Sequence, residues 1–477
     1  MKHFSFWGLV AISFFIVLFS SSCRKEKLLT DGSAKLSFSN DTLTFDTVFT
    51  TLGSTTKFFR VFNENNGKLN IRNIRLGGGS ASPFKLNIDG LPGNEANNIE
   101  VDGKDSFYVF ASVTVDPTNN NNPLVFVDSV LFETNGNIQK VILVAWGQDA
   151  HFYISEVIET NQNWVNDKPY VILNSVAIGS GVTLTIQPGV RVFLGGNSGI
   201  FVDEGGKILA QGTCTDSIIF RGVRLEKFYE DKAGQWLGIF LLRKSVGNVF
   251  EHVEISNATY GLSLGSCVDC GINDLIPFST KASVTIKNSV IRNSLINGIV
   301  AVSSEVTAEN CLLYGSGDNM LSLGLGGKHT FNHCTIANYG SSFLDHKKAS
   351  VLISNVINDG SQNFAAELLD ASFVNTIIYG SLEEELDTSI INHNLNIYKY
   401  RFTNCLLKTK RDINDTNYYT SCIKNEDPSF KNRSEFDYKL SSGSPCIDAG
   451  VTNNLSQDFD CLPHINAPDI GCYEYTN

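Results

Sequence analysis

The chain reads as all-β, a sandwich of antiparallel strands followed by a solenoid of short parallel coils. Three observations predict this. Apolar and polar residues alternate over short runs, and no helical period appears beyond the N-terminus. Glycine is frequent at 40 residues while methionine numbers 2, a mixture that suits strands and turns over helices. A strand-and-corner phrase also recurs, as in Ser283-Val-Thr-Ile-Lys-Asn288, Glu305-Val-Thr-Ala-Glu-Asn310 and Tyr400-Arg-Phe-Thr-Asn404. With 42% apolar and 18% charged residues, the chain can bury several cores. Its net charge of -12 argues against nucleic acid, which demands a basic footprint.

The elements follow in order. Lys2 and His3 precede an apolar run from Phe4 to Phe19, and Ser20-Ser21-Ser22-Cys23 supplies small residues. That pattern is a secretory signal over residues 1–23. The cysteine after small residues resembles the lipobox of bacterial lipoproteins, in which it is acylated. Here Ser20 stands where that motif usually carries Leu. The resemblance implies lipidation at Cys23, a polar tether over 24–34, and an envelope location at the outer membrane.

Residues 35–150 alternate as strands, for example Leu43–Phe49, Lys57–Phe62, Leu69–Leu76 and Phe107–Val115. Turn clusters such as Asn63–Gly67 separate them, the signature of an antiparallel sandwich. The spacing Phe59-x-Val61-x-Asn63, then Leu69-x-Ile71, resembles immunoglobulin-like modules of bacterial surface proteins. Such a module implies a spacer or packing partner.

From 151 to 425 the strands shorten to three to five residues, each closed by Gly, Asn or Pro-Gly. No hairpin dipeptides pair them, which suits solenoid coils. The residues Leu184–Leu194, Gly199–Thr213, Ser217–Gly222 and Gly234–Leu241, then Phe250–Leu262, resemble right-handed parallel β-helix lipoproteins related in shape to pectate lyases. Corner residues His252, Asn288, Asn310, His333, Asn355, Asn375 and Asn404 step by 36, 22, 23, 22, 20 and 29, a coil of about 22 with two insertions. Two residues before each corner Ile286, Ala308, Phe331, Ile353, Phe373 and Phe402 form an inward row, and Val284, Val306 and Val351 form a second one interrupted by His329. The corner asparagines tolerate a left-handed backbone and are expected to bond one another as a ladder. Cys311, Cys334 and Cys405 share a small slot with Ser289, Thr376 and Val356, so buried free thiols are expected there. Cys267 and Cys270 read as a local disulfide or free thiols, since no second ligand pair stands near.

Residues 426–477 resemble the closing segment of bacterial β-helix proteins, through Ser444-Pro-Cys-Ile-Asp448-Ala-Gly450 and Asp469-Ile-Gly-Cys-Tyr-Glu474. A solenoid end must be covered. Asp448, Asp469 and Glu474 read first as hydrogen-bonding cap residues and second as calcium ligands. One bridge is expected among Cys446, Cys461 and Cys472.

No nucleophile elbow, phosphate loop or metalloprotease motif appears. Two groups offer chemistry. Asp345, His346 and Lys347 stand at a coil exit, and Arg224 and Asp231 stand in an insertion after Gly222. These five are the catalytic candidates, beside a solvated-turn reading of the first group and, for Arg221, Arg224, Glu226, Glu230 and Asp231, a salt-bridged-loop reading of the second. Tyr229, Trp236 and Arg221 are the binding candidates, with Tyr398 and Tyr400 as further stacking aromatics, and a second reading folds Trp236 and Tyr229 back to cover a coil. Glu383-Glu384-Glu385 reads as a solvated loop. Beyond that second, calcium reading of the closing segment, no metal ligand set and no cofactor are expected. The reading that results is an exported, lipid-anchored β-helix protein presenting one wall to a polysaccharide or an envelope partner. The alternatives are a polysaccharide lyase or glycosidase, as the family resemblance implies, and a structural or adhesive rod.

Overall fold

The computed structural model describes residues 27–50, 52–116, 124–266, 281–341, 343–358, 363–365, 369–389, 398–464 and 467–476. Cys23, and the pair Cys267 and Cys270, lie outside the described residues. The chain divides after Asp149 into two compact units.

The first unit is two five-stranded sheets. One pairs Ser37–Phe38, Lys57–Phe62, Ser106–Val113, Phe84–Ile88 and Leu91–Pro92, antiparallel throughout. In the other, Thr42–Phe49 lies parallel to Asn137–Gln148, an exception to the expected antiparallel order. Alternation puts Phe59, Val61, Leu69 and Ile71 in one core with Phe132 and Leu143. Asn63 is buried because its amide ties a turn, donating to the carbonyls of Gly67 (2.9 Å), Val101 (3.0 Å) and Asp102 (3.0 Å).

The second unit is a parallel β-helix of three walls. Wall 1 is a 10-stranded parallel sheet that runs from Gln162–Trp164 through Ser283–Lys287, Glu305–Glu309, Gly327–Asn332, Leu369–Val374 and Tyr398–Thr403. Wall 2 includes Ile218–Gly222, Val253–Ser256, Val290–Ser294, Leu312–Ser316, Thr335–Asn338 and Ile377–Gly380. Wall 3 includes Gly199–Val202, Gly238–Leu241, Tyr260–Leu264, Asn297–Val302, Leu321–Gly324 and Val351–Ser354. At one strand spacing per coil, wall 1 is on the order of 45 Å long.

Stacking puts like on like. In wall 1, Ile286, Ala308, Phe331, Phe373 and Phe402 align in register and are buried. Phe331, Phe373 and Phe402 stack at 4.9 and 4.8 Å. The phrase at Ser350–Asn355 departs from expectation. Ile353 pairs with Leu323 and Val351 with Leu321, so both belong to wall 3, and Val356 leaves the slot. Every wall carries the same inward alternation, so the pattern of one strand does not say which wall it joins. His333 and Asn375 are therefore successive corners.

The corner between walls 1 and 2 is left-handed at His252 (φ 48°), Asn288 (46°), Asn310 (51°), His333 (48°), Asn375 (47°) and Asn404 (48°). The next residue fills the small slot. Cys311 Sγ donates to the carbonyls of Glu309 (3.2 Å) and Ile286 (3.5 Å), and Cys405 repeats this with Thr403 and Phe373. Ser289 and Thr376 use their hydroxyls the same way. The slot therefore selects a small donor, and its thiols are free as expected. Burial pushes the Cys334 and Cys405 thiols up.

The expected corner ladder keeps one rung, Asn375 Nδ2 to His333 Nε2 at 2.8 Å, and most corner amides instead hold a strap. Asn404 Nδ2 donates to the Ala449 carbonyl (3.0 Å), Asn375 to Val451 (2.8 Å), Asn310 to Gln457 (2.7 Å) and Asn288 to Asp458 (3.0 Å). Residues 449–461 thus run back along the corner instead of closing the solenoid end. The strap ends in a disulfide from Cys461 to Cys214, and Cys446 and Cys472 are buried and free, which corrects the expected bridge. Ile470 and Cys472, with Tyr438 and Leu440, cover an outward apolar row of wall 2 at Leu312, Ile377 and Leu406. Asp469 and Glu474 accept backbone N–H groups, from Asp448 and Tyr475 and from Asp469, as cap residues do. Asp448 donates its N–H to Asp469 in the same turn. Inside the last coils, Tyr398 and Tyr400 are buried in wall 1, where they continue the inward rows, and are closed off from solvent sugars. Tyr400 stacks on Tyr418 at 4.4 Å.

Candidate functional site

Both candidate groups rise from the same edge of the solenoid, the corner between walls 2 and 3. The first loop, residues 223–237, joins Ile218–Gly222 to Gly238–Leu241. The second, residues 339–350, joins Thr335–Asn338 to Val351–Ser354. Between them the corners are short, at Asn257–Thr259, Leu295–Ile296 and Gly317–Met320. Four strand spacings, roughly 19 Å, separate the two loop bases. Their tips nevertheless meet, with Phe228 and Phe343 at 6.3 Å edge to face. These rings are 61% and 53% exposed, so the two loops form an aromatic-tipped arch over the short corners.

The first loop is built inward. Asn257, left-handed at φ 67° and buried, donates its amide to the carbonyls of Glu230 (2.8 Å) and Lys232 (2.8 Å). Gln235 donates to Tyr229 (2.6 Å) and Lys232 (2.8 Å). Gly234 turns at φ 76° where a side chain would strike Leu295. Trp236 is 1% exposed and donates Nε1–H to the Ser256 carbonyl (2.9 Å), so it is core and not a sugar platform. Tyr229 is half-buried, with the Arg224 guanidinium 3.8 Å from its ring centre. Arg221 lies in wall 2 in register with Phe193, and its buried Nε has no hydrogen-bond partner among the described residues.

The titratable groups are mostly held in pairs. Arg224 grips Glu226 through two nitrogens (3.0 and 3.1 Å). Arg292, on wall 2, joins Glu254 (2.9 Å) and Asp231 (3.3 Å). Burial opposes its charge, but Glu254 and then Asp231 outweigh burial and leave the guanidinium raised. Burial pushes the neighbouring Tyr314 phenol up to about 12. Lys348 meets Asp318 at 2.6 Å, and Asp345 and Lys347 are exposed at 3.8 Å from each other.

His346 faces inward. Its Nδ1 is 3.0 Å from Ser381 Oγ and its Nε2 is 3.3 Å from Glu385 Oε2, with the side chain 1% exposed. Burial lowers the imidazole. Glu385 is wholly buried, which corrects the solvated-loop reading at that residue, while Glu383 is exposed as expected. Glu385 accepts from Ser350 N (3.0 Å), Ser350 Oγ (2.7 Å) and Leu382 N (2.8 Å). Burial pushes its carboxyl up to about 7, against those hydrogen bonds. Glu385 through Ser350, and His346 through Ser381, staple the second loop to the coil, with both side chains turned away from solvent.

Two cavities flank the arch. One of 340 Å³ is lined by Leu295, Asp318, Phe343, Leu344, Asp345 and Lys347. The other, of 370 Å³, is lined by Val223, Arg224, Tyr229, Lys232 and Gln235 among others. The structure thus gathers Asp345 and Lys347 with Arg224, Tyr229 and Asp231 at one edge, and keeps His346 and Trp236 inside. Sequence reasoning missed Phe228, Lys232, Arg292 and Phe343. Phe228 and Phe343 each sit in a loop already singled out, which was the available signal. Arg292 lies within a repeat and carried none.

Residues 156–266 match the family model described as a pectate-lyase-like β-helix domain, a span that includes the first loop and stops before the second. No curated protein matches the chain. Similar solved structures include a PapD-like domain of human CEP192, at 10% identity over 26% of this chain and 91% of that one, with a TM-score of 0.17. They also include a family 123 glycoside hydrolase from Clostridium perfringens, at 8% identity over 28% and 30%, TM-score 0.19. A protein of unknown function from Porphyromonas gingivalis W83 matches at 10% identity over 26% and 59%, TM-score 0.17. Likeness of that size carries no argument about function. Family match and three-walled parallel geometry agree on one conclusion, that residues 156–266 are a pectate-lyase-like β-helix domain.

Proposed function

We propose that this is an exported β-helix protein, lipid-anchored at Cys23 in the bacterial cell envelope, that binds glycan at the edge between walls 2 and 3. The exposed pair Phe228 and Phe343 supports the reading most directly. Aromatic faces suit the apolar faces of sugar rings, and two rings carried on opposed loops make a clamp. Binding is favoured over cleavage because Asp231, Glu226, Glu254 and His346 are committed to other groups of the chain. A glycosidase needs two carboxylates free to act across a bond, and a lyase needs a base free to take a proton. Here Asp231, Glu254 and Glu226 neutralise arginines, and His346 is buried against Glu385.

The test uses the full chain in detergent against a panel of polysaccharides, with calorimetry for binding and reducing-end and ultraviolet assays for products. Binding without product is expected, weakened at least ten-fold by Phe228→Ala or Phe343→Ala. Product that disappears with Asp231→Ala would establish the lyase or glycosidase reading instead. No binding to any glycan would leave a structural or adhesive rod.

A further inference from the structure

Lys232 is the key residue. Its Nζ lies 3.2 Å from the ring centre of Phe228, 4.8 Å from Phe343 and 5.6 Å from Tyr229. No carboxylate lies within ion-pair distance of it among the described residues, unlike Arg224, Arg292 and Lys348. Phe228 and Phe343 hold this ammonium, and Tyr229, whose ring also carries the Arg224 guanidinium at 3.8 Å, closes the rim of an aromatic cage, the arrangement by which proteins recognise organic cations. The rings come from both loops, so the cage exists only where the arch closes. Its residues also line the cavities on either side, Phe343 in one and Tyr229 with Lys232 in the other.

We propose that Phe228, Tyr229 and Phe343 form a binding site for an organic ammonium, occupied in the free protein by the chain's own Lys232 and taken over by a glycan that carries free amines. The inference rests on the glycan-binding reading and names the class of glycan. An exposed cation–π contact is weak, so Lys232 leaves the cage for water at little cost and a ligand ammonium replaces it nearly one for one. The cavities beside the cage have room for the sugar rings on which that amine is carried. Asp345, exposed, and Asp318, paired with Lys348, line one of them together with Lys347. The overall charge of -12 draws a polycation toward the protein. An N-acetylated sugar of the same shape has no charge to offer the rings.

The experiment compares oligomers of glucosamine with N-acetylglucosamine oligomers of equal length, by calorimetry on the full chain in detergent, at a pH where the amines are protonated. Tetramethylammonium serves as the small probe. The free-amine oligomer is expected to bind at least ten-fold more tightly than the acetylated one. Lys232→Ala removes the internal competitor and is expected to tighten it a further two- to five-fold, roughly the worth of one exposed cation–π contact. Phe343→Ala is expected to abolish the preference, and because Phe343 is exposed its melting temperature checks that the fold survives. Equal binding of both oligomers would overturn the cage while leaving glycan binding intact. Weaker binding in Lys232→Ala would also overturn it, since Lys232 would then be a ligand contact. Binding of tetramethylammonium without either oligomer would overturn the glycan assignment. Silence across the whole polysaccharide panel would instead bring down the glycan-binding reading itself.

Discussion

Glu385 shows how far a single residue can depart from its neighbours. It follows Glu383 and Glu384, and Glu383 pairs with Lys410 at the surface (2.6 Å). Glu385 itself is buried beneath the second loop, with its carboxyl moved from an ordinary 4.5 to about 7. A raised acid favours the folded state fully below its unfolded value, and that stability is lost as pH rises through the folded one. The loss spans pH 4.5 to 7 and amounts to roughly 3 kcal/mol at most. His346 works in the opposite direction. Burial lowers it, so its stability is present above its ordinary range and lost as pH falls. Glu385→Gln removes the acid's share, at a constant cost for an N–H left without an acceptor. The stability of the variant relative to the parent is therefore expected to improve steadily from pH 4.5 to 7 in thermal melts. A difference that does not change with pH would show that the carboxyl is not raised.

The left-handed corner is the element on which the coils depend. Asn and His occupy it because a short polar side chain tolerates that backbone at low cost. The amide then does a second job, since it holds the strap. Asn310→Ala is expected to cost roughly 1–2 kcal/mol for the backbone and about 1 kcal/mol for the lost bond to Gln457. Asn310→Gly recovers only the backbone part. Urea unfolding of the pair separates the two contributions, and equal losses would mean that the backbone is not the larger one. The corner and its slot were legible in sequence because they repeat at a fixed offset. Ser350–Asn355 was misplaced because a wall 3 strand carries the same alternation as a wall 1 strand.

At the scale of the molecule, the strap converts a stack of coils into a closed unit. Cys214 and Cys461 are 247 residues apart in sequence, and closing so long a loop stabilises the folded state by up to roughly 5 kcal/mol in the chain-entropy account. Cys461→Ser is expected to free residues 449–461 from the corner. Limited proteolysis should then cut there many times faster than in the parent, while the coils stay resistant, and reductant should reproduce the effect. Identical digestion of parent and variant would mean that the corner bonds alone hold the strap.

By itself the sequence determined the all-β class, the break near residue 150, the inward rows and left-handed corners outside Ser350–Asn355, and the free thiols of the slot. All of these follow from local alternation or from a repeat, which are properties of neighbours along the chain. Tertiary structure alone decided which wall each strand joins, where residues 449–461 run and that Cys214 is the partner of Cys461. It alone decided that Trp236 and His346 turn inward while Phe228, Lys232 and Phe343 meet. Those outcomes depend on residues from 20 to 247 apart being brought together by the stacking of whole coils. A period reports that coils stack, but it does not report which loops then face each other across them.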